Sequence, residues 1–367
     1  MGKSRNISQV LNDQGLIEAA DLAPGVGTPE QGFNFRNRII NGDMRIDQRN
    51  AGAAVTASGA YPVDRFDVSN GTDGAFSAQQ DSSAPTGFVN SLKYTTTTAD
   101  GTLTTTQNLT IRHKIEGTNV ADLGWGTANA KTVTLSFWVR SSLTGTFGGA
   151  LRNSAADRSY PYTYTISVAN TWEQKSVTIA GDTTGTWLTT TGIGLRVDFG
   201  LGAGPDRSGT AGAWNSNNNV SATGAVSVIG TLNATFYITG VQLEVGSVAT
   251  PFERRPYGTE LALCQRYALG LTTSQGLGSG IWYASGATVH QMQFPVEMRS
   301  APTLTTNTGI ARHYLSGSSV NNTSGNITIN RASSTACEFY TTVAGGTAGQ
   351  GTSATISSGI CVLSSEL

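Results

Sequence analysis

The segment TVTLSFWVR, residues 132–140, decides the fold class expected of this chain. Apolar residues stand at every second position from Val133 to Val139, and the residues between them are polar apart from Trp138. A period of two is typical of a β-strand that buries one face. The segment WEQKSVTIAGD (172–182) repeats the alternation before a Gly-Asp turn. The pattern therefore predicts half-buried strands joined by tight turns.

More strands of this kind are predicted on both sides, separated by Gly, Asn and Asp turns. They are Ser91–Thr96, Leu109–Ile115, Tyr162–Val168, Glu173–Ile179, Gly194–Phe199 and Ala234–Leu243. The stretch 200–230 is poor in apolar residues and predicts a long loop around Trp214. Short strands with frequent turns favour an all-β fold, a jelly-roll β-sandwich.

Four regions follow along the chain. Residues 1–34 are expected to form a short N-terminal arm, which either docks on a partner or neighbouring copy or remains an unstructured tail. Residues 35–257 are the sandwich, and 258–269 a short helical linker in which Thr259 can cap the helix. Residues 270–367 are a smaller C-terminal β domain.

The strands expected in that C-terminal domain are fewer and shorter. They are Thr288–Pro295, Thr303–Leu304, Asn326–Ile329, Cys337–Thr342 and Ser358–Leu363, with turns at 321–325 and 344–351.

The composition excludes several classes of function. Charged residues make up 13% of the 367 residues and the net charge is −1, which is unlike a nucleic-acid-binding surface or a polybasic membrane anchor. No apolar run approaches the roughly 18 residues of a membrane span, so no membrane insertion is expected. The opening MGKSRNISQVLNDQG has no apolar core of a signal peptide. The three cysteines form no CxxC pair, and we expect buried thiols.

Catalysis is not expected from the motifs. Glycoside cleavage needs two carboxylates across one bond, and no pair can be placed from the sequence. The histidines, His113, His290 and His313, are far apart in sequence, and no HExxH, GxSxG or phosphate loop occurs.

Sugar binding is the better functional hypothesis, because aromatic faces stack on the C–H faces of sugars. The candidates are aromatic residues expected on loops or outside the inward pattern. They are Trp125, Tyr160, Tyr162, Trp214, Trp282 and Tyr283. Each could instead be a packing residue. Trp138, Trp172 and Trp187 lie within or beside predicted strands and are assigned to the scaffold.

Several phrases in the chain resemble tail-fibre (receptor-binding) proteins of phages and prophages. They are NRIINGDMRIDQRNAG (37–52), YPVDRFDV (61–68), TVTLSFWVRSSLTGTF (132–147), TWEQKSVTIAGDTTGTW (171–187), GIGLRVDFGLG (192–202), FYITGVQLEVGSVATPFERRPYGTELALCQRYA (236–268), FPVEMRSAPTLT (294–305) and SSEL (364–367). The phrase at 236–268 is the most specific of these.

This resemblance implies a virion protein of the tail, synthesised in the cytoplasm of a host bacterium. It also implies a homo-oligomer, for which the family suggests a trimer. The arm would attach to other tail or virion proteins, and the terminal β domain would contact host surface polysaccharide. Two other functions remain open: a purely structural virion protein, such as a tail adaptor or capsid decoration protein, and a polysaccharide depolymerase. Arg254 and Arg255 would either meet a carboxylate of a neighbouring copy or lie in a solvated hinge.

The first phrase and the phrase at 236–268 also resemble the opening and closing strands of carbohydrate-binding modules with a jelly roll. In those modules, acidic residues near both strands often hold a structural calcium. Here Met44-Arg45 and Thr239-Gly240 replace the usual Phe-Glu and Asp-Asp, so no cofactor is expected. Asp43 and Glu244 remain the only metal-ligand candidates.

Overall fold

The computed structural model describes residues 35–284, 286–315, 318–324, 327–343 and 347–367. The arm predicted for residues 1–34 lies outside them. The chain divides into two compact units that exchange segments along the sequence. Of the described residues, the first unit comprises 35–43, Ser69–Phe76 and Ser83–Arg254, and the second comprises Met44–Val68, Ser77–Ser82 and those from Arg255 to Leu367.

Twelve described strands lie between residues 66 and 245. They are β1 (Phe66–Asn70), β2 (Ala75–Asp81), β3 (Ser91–Thr98), β4 (Asn108–Glu116), β5 (Val133–Ser141), β6 (Gly145–Arg152), β7 (Ser159–Ile166), β8 (Glu173–Ile179), β9 (Ile193–Ala203), β10 (Ser208–Gly209), β11 (Ser221–Ala222) and β12 (Thr235–Val245). The division between the units falls within β1 and β2. Each strand predicted in this region is present, with ends shifted by a few residues.

These strands form two five-stranded sheets and one short pair. The sheet orders are β1-β4-β9-β6-β7 and β2-β3-β12-β5-β8. The chain crosses repeatedly from one sheet to the other, and neighbours such as β4/β9, β6/β9, β3/β12 and β5/β12 are antiparallel. This connectivity is a jelly-roll β-sandwich, which confirms the predicted fold class. Within the predicted long loop, β10 and β11 make a short parallel pair.

Aromatic side chains from both sheets meet in the core of the sandwich. Phe137 of β5 lies 5.1 Å from Phe199 of β9 and 4.9 Å from Tyr164 of β7, measured between ring centroids. The apolar face predicted for residues 132–140 is therefore the core face. The opposite face differs from expectation, because Thr134 is also buried and donates its hydroxyl to the Gly246 carbonyl at 2.8 Å.

The second unit contains one helix and ten strands among its described residues. They are α1 (Tyr257–Gln265), β13 (Ala268–Leu271), β14 (Gly276–Ala284), β15 (Ala287–Gln293), β16 (Thr303–Asn307), β17 (Ile310–Leu315), β18 (Ser318–Ser324), β19 (Ile327–Ala332), β20 (Ala336–Thr342), β21 (Gly351–Ser358) and β22 (Cys361–Ser364). They form a three-stranded sheet, β13-β22-β16, and a seven-stranded sheet, β18-β17-β21-β14-β15-β20-β19. The C-terminal β domain is thus confirmed as all-β.

Sequence reasoning missed five strands of this unit, β13, β14, β17, β18 and β21. Three of them are rich in Gly, Ser, Thr or Asn, and their apolar alternation is too sparse to signal a strand. The predicted turn at 321–325 is wrong, since 321–324 belong to β18. The predicted strand Ser358–Leu363 begins instead at Cys361, after the turn at Gly359.

The short helix is present but is organised differently from the prediction. It begins after Pro256, with no side-chain cap, and it buries Glu260 and Cys264. The Glu260 carboxylate pairs with Arg255 at 3.3 Å, so Arg255 finds its partner in its own chain. At nine residues, α1 is too short to cross a bilayer, and no helix in the described part of the chain is long and apolar enough to do so.

Segment 44–68 belongs to the second unit because its polar side chains bind the C-terminal residues. Arg49 pairs with Asp64 at 2.9 Å and with Glu366 at 2.8 Å. Arg65 also pairs with Glu366, and its guanidinium lies 3.5 Å from the centroid of the Tyr267 ring. The unit boundary therefore differs from the simple division predicted at residue 257.

Candidate functional site

The outer face of the seven-stranded sheet carries two parallel rows of side chains. Backbone pairing puts Ile281 of β14, Val289 of β15, Tyr340 of β20 and Thr328 of β19 in one row. Neighbouring strands lie about 4.8 Å apart, so the row across four strands is roughly 14 Å long. Ile281 is 52% exposed, which leaves an apolar and aromatic strip open to solvent.

A polar row lies beside the apolar strip. Its members in register are Ser279, Gln291, Glu338 and Arg331. Two residues along a strand separate the rows, which is about 7 Å. A ligand with an apolar face and a polar edge could therefore contact both rows at once.

Two β-bulges border these rows. Tyr283 lies at the register shift between Trp282 and Ala284 of β14, and Asn330 lies at the shift between Ile329 and Arg331 of β19. A bulge adds an unpaired residue and can turn its side chain toward a different face. Both residues line the outer face, and Tyr283 is 71% exposed.

Together the rows and bulges form a groove, which we call the sheet groove. One half has a volume of about 340 Å³ and is lined by Ile281, Tyr283, Val289, Asn330, Arg331, Glu338 and Tyr340. The other half has a volume of about 320 Å³ and is lined by Gln291, Gln293, Arg331, Ala332, Ser333, Ala336, Cys337 and Glu338. Arg331 and Glu338 line both halves, so they lie where the halves meet.

The polar groups of the sheet groove are only partly used by the protein. Asn330 donates its amide to Glu338 Oε1. Arg331 lies opposite Glu338 in the register, yet it makes no ion pair with any described residue. Neither Tyr283 nor Tyr340 uses its hydroxyl within the described chain. The groove therefore presents a guanidinium, a carboxylate and two phenols to solvent.

The inner face of the same sheet is buried. Phe339, Ile327 and Ile356 belong to its apolar core. Trp282 is 1% exposed and lies on this side, so the prediction that it contacts a ligand is wrong. Successive residues of a strand point to opposite faces, so Trp282 faces the core and Tyr283 faces solvent. Of the two, only Tyr283 can contact a ligand.

A buried histidine pair also lies on the inner side. The ring centroids of His290 and His313 are 5.3 Å apart, although no sequence pattern groups these two residues. The Thr341 hydroxyl lies 3.1 Å from His313 Nε2, and the Thr288 hydroxyl lies 3.1 Å from His290 Nε2. Burial, with the nearby His290 as a second cause, lowers the pKa of His313 to about 4. Burial also lowers the pKa of His290.

The aromatic candidates of the first unit meet in a separate cluster. Trp125, Trp187, Trp214 and Tyr160 pack edge to face, and the centroids of Trp125 and Trp187 are 4.8 Å apart. We call these four residues the tryptophan cluster. Sequence reasoning named three of them and assigned Trp187 to the scaffold.

All three indole N–H groups of the tryptophan cluster are already used. They donate to the backbone carbonyls of Lys131, Thr184 and Ala180 at 2.8, 3.1 and 2.7 Å. A cleft of about 160 Å³ beside Trp125 and Trp187 is lined mainly by apolar residues and carries no charged side chain. The cluster therefore holds loops against the sandwich and offers a ligand few polar groups.

The tyrosines of β7 do not form a binding surface. Tyr160 is 9% exposed and Tyr162 is 1% exposed, and Tyr162 donates its hydroxyl to the Asp198 carbonyl at 2.9 Å. Burial raises the pKa of Tyr162 well above its usual range. The prediction for Tyr162 is wrong, because the tyrosines alternate with exposed Thr163 and Thr165 and are themselves the inward face. Gly149 makes room for this ring, since a Cβ there would lie 2.4 Å from it.

The two metal-ligand candidates do not form a metal site in the described structure. Glu244 accepts hydrogen bonds from Gln242 Nε2, Thr250 N and Thr250 Oγ1 at 2.9, 2.9 and 2.6 Å. Asp43 is buried. No group of three or more His, Cys, Asp or Glu among the described residues is placed to hold a metal ion. All three cysteines are buried free thiols, and burial raises the pKa of Cys337 to about 12.

Sequence reasoning missed most of the sheet groove. Only Tyr283 was among the candidates. The segment ACEFYTT (336–342) does alternate, and this signal could have placed Glu338 and Tyr340 on one face. Asn330 and Arg331 depend on a bulge, which no sequence pattern in this segment marks.

Comparison with known proteins yields similar structures but no relatives in sequence. No family model and no curated protein matches the chain. Three solved structures are among those similar to part of this chain. The enzymatically active domain of tailspike protein 4 of bacteriophage CBA120 is 11% identical (TM-score 0.30), with 57% of this chain and 22% of that chain covered. A carbohydrate-binding module, CBM4, is 16% identical (TM-score 0.27), with 57% and 99% covered. The family 11 carbohydrate-binding module of a Clostridium thermocellum cellulase is 13% identical (TM-score 0.27), with 54% and 97% covered. At these TM-scores the likeness indicates neither ligand nor activity.

Proposed function

We propose that this protein is a receptor-binding subunit of a bacterial-virus tail that binds host surface glycan without cleaving it. The sheet groove is the binding site in this proposal. The observation that carries it is the pairing of a partly exposed apolar and aromatic strip with a polar row at a distance of about 7 Å. A sugar ring has an apolar C–H face and a rim of hydroxyls, and these two rows match those two features.

The side chains and the size of the sheet groove suit a sugar ligand. Tyr283 and Tyr340 supply ring area without needing to break internal hydrogen bonds. Glu338, Asn330 and Gln291 supply acceptors and donors for hydroxyl groups. The two halves of the groove fall in the usual size range of ligand sites, about 300–1,000 Å³.

The absence of catalysis is part of the proposal. Glycoside hydrolysis uses two carboxylates placed across one bond. Glu338 is the only carboxylate among the residues that line the sheet groove, and it accepts a hydrogen bond from Asn330.

The virion location and the trimeric state rest on the resemblance of several phrases to phage tail fibres. Repeated copies on one particle would gain avidity, so each groove can be shallow and still hold the particle to a cell. In this scheme residues 1–34 attach the chain to other virion proteins.

The test is a glycan array of bacterial surface polysaccharides probed with the full chain and with Tyr340→Ala. We expect reproducible binding that falls about tenfold or more in the variant, because a central aromatic contact is lost. Tyr314→Ala is the matched control, since Tyr314 is 42% exposed on β17 of the same sheet but does not line the groove.

Other results would favour the alternatives. A chain that binds no polysaccharide, alone or on intact particles, would support the purely structural virion protein. Release of new reducing ends from a bound polysaccharide would support the depolymerase.

A further inference from the structure

We infer that the sheet groove is selective for acidic glycans, in which a sugar carboxylate binds Arg331. This inference rests on the proposed function and names its ligand class. Among the described residues that line the groove, Arg331 is the one cation, and it belongs to both halves.

The guanidinium of Arg331 differs from three buried or partly buried arginines of the second unit. Arg49, Arg65 and Arg255 are paired with carboxylates of the same chain. Arg331 is exposed and has no ion pair with any described residue. An arginine presents five N–H donors in a fixed fork that matches a carboxylate in a bidentate geometry.

The bulge at Asn330 explains why Arg331 remains available. Arg331 and Glu338 are opposite each other in the register, where an ion pair is normally favoured. Asn330, the extra residue, donates to Glu338 instead. The Glu338 carboxylate thus has a neutral hydrogen-bond partner, and the N–H donors of the Arg331 guanidinium remain available to a ligand.

The neighbours of Arg331 fit a sugar acid better than a free anion. Tyr340 and Val289 lie in the adjacent row and can contact the ring that carries the carboxylate. Glu338 can accept a hydrogen bond from a sugar hydroxyl, and its charge disfavours a ligand that carries a second negative group at this point. A uronic or nonulosonic acid unit within a largely hydroxylated chain satisfies all of these contacts.

The test is an array that displays each bacterial polysaccharide both in its native form and after its carboxylates are reduced to alcohols. We expect binding of native acidic polymers that falls about 10- to 100-fold on reduction, the effect of losing one or two charge-assisted hydrogen bonds. Arg331→Gln should cause the same loss and should bind native and reduced forms equally. Arg331→Lys should recover part of the affinity.

Arg312→Gln is the charge-matched control, since Arg312 is exposed on β17 of the same sheet and does not line the groove. Equal binding of native and reduced polymers by the unmodified chain would overturn the inference and leave glycan binding intact. A preference for phosphate-bearing polymers such as teichoic acids would also overturn it. If no polysaccharide binds, the proposed function itself fails.

Discussion

The tryptophan cluster of the first unit and the sheet groove of the second use aromatic residues in opposite ways. In the cluster, four rings contact one another edge to face, and every indole N–H donates to a backbone carbonyl. In the groove, Tyr283 and Tyr340 leave their hydroxyls unused by the described chain and lie beside charged groups. Aromatic content alone therefore does not identify a binding surface. The state of the polar atoms on and around the rings distinguishes an anchor from a contact.

The largest effect expected from this comparison is on stability. Trp125→Ala should lower the free energy of unfolding by about 3–5 kcal/mol, because it removes a ring that is 8% exposed and leaves a cavity. Tyr283→Ala should change it by no more than about 0.5 kcal/mol, since that side chain is 71% exposed. Denaturant midpoints of the two variants and the parent chain, followed by far-ultraviolet circular dichroism, measure the difference.

Glycan binding by the same two variants completes the comparison. Trp125→Ala should bind as the parent does at a temperature where it is folded, and Tyr283→Ala should lose affinity. The reverse pattern would make the tryptophan cluster the contact and the sheet groove the scaffold.

The sequence could predict the strands but could not predict the groove. In residues 132–140 the apolar residues occupy every second position, so the sequence itself shows which face of the strand is buried. In GSGIWYASG (278–286), Gly and Ser precede the aromatic pair, so the pattern does not say whether Trp282 or Tyr283 faces inward. In the structure Trp282 is buried in the core, and Tyr283 lies at a β-bulge and is exposed.

The register between strands is the other missing information. Arg331 and Tyr340 are nine positions apart in sequence and on different strands. They share one face because β19 pairs with β20 across a bulge. A one-residue change in that register would move either side chain to the core. Local patterns cannot fix such a register when the connecting segment is polar.

A smaller effect, confined to the second unit, is expected from pH. The unfolded chain protonates its histidines near the usual pKa of 6.5, whereas folded His313 does so at about 4. The unfolded state therefore binds more protons between these values, and stability decreases as the pH falls from about 6.5 to 4. The loss should reach about 1–3 kcal/mol, with little further contribution from His313 below pH 4.

Hydrogen exchange resolved by peptide, at pH 7 and pH 5 with rates corrected for intrinsic pH dependence, locates this loss. Protection should fall in β15 and β17, which carry the histidine pair, more than in β5 of the first unit. His313→Gln should weaken the pH dependence, whatever it costs at pH 7. Uniform loss of protection in both units would show that the buried pair is not responsible.

The smallest effect expected is a change in glycan affinity when a tryptophan is introduced into either aromatic region, and it tests directly which of the two regions contacts glycan. Leu188→Trp adds a large side chain at the mouth of the cleft beside the tryptophan cluster, where Leu188 is 36% exposed. Val289→Trp adds the same side chain between Ile281 and Tyr340 in the sheet groove. Because the cleft carries no charged group and the groove carries two, we expect Leu188→Trp to change glycan affinity by less than about twofold and Val289→Trp to reduce it more than about tenfold. Titration calorimetry with an array-selected polysaccharide measures both values. Equal losses in the two variants would mean that glycan contacts both regions, and the rule that unused polar atoms mark the binding face would no longer separate them.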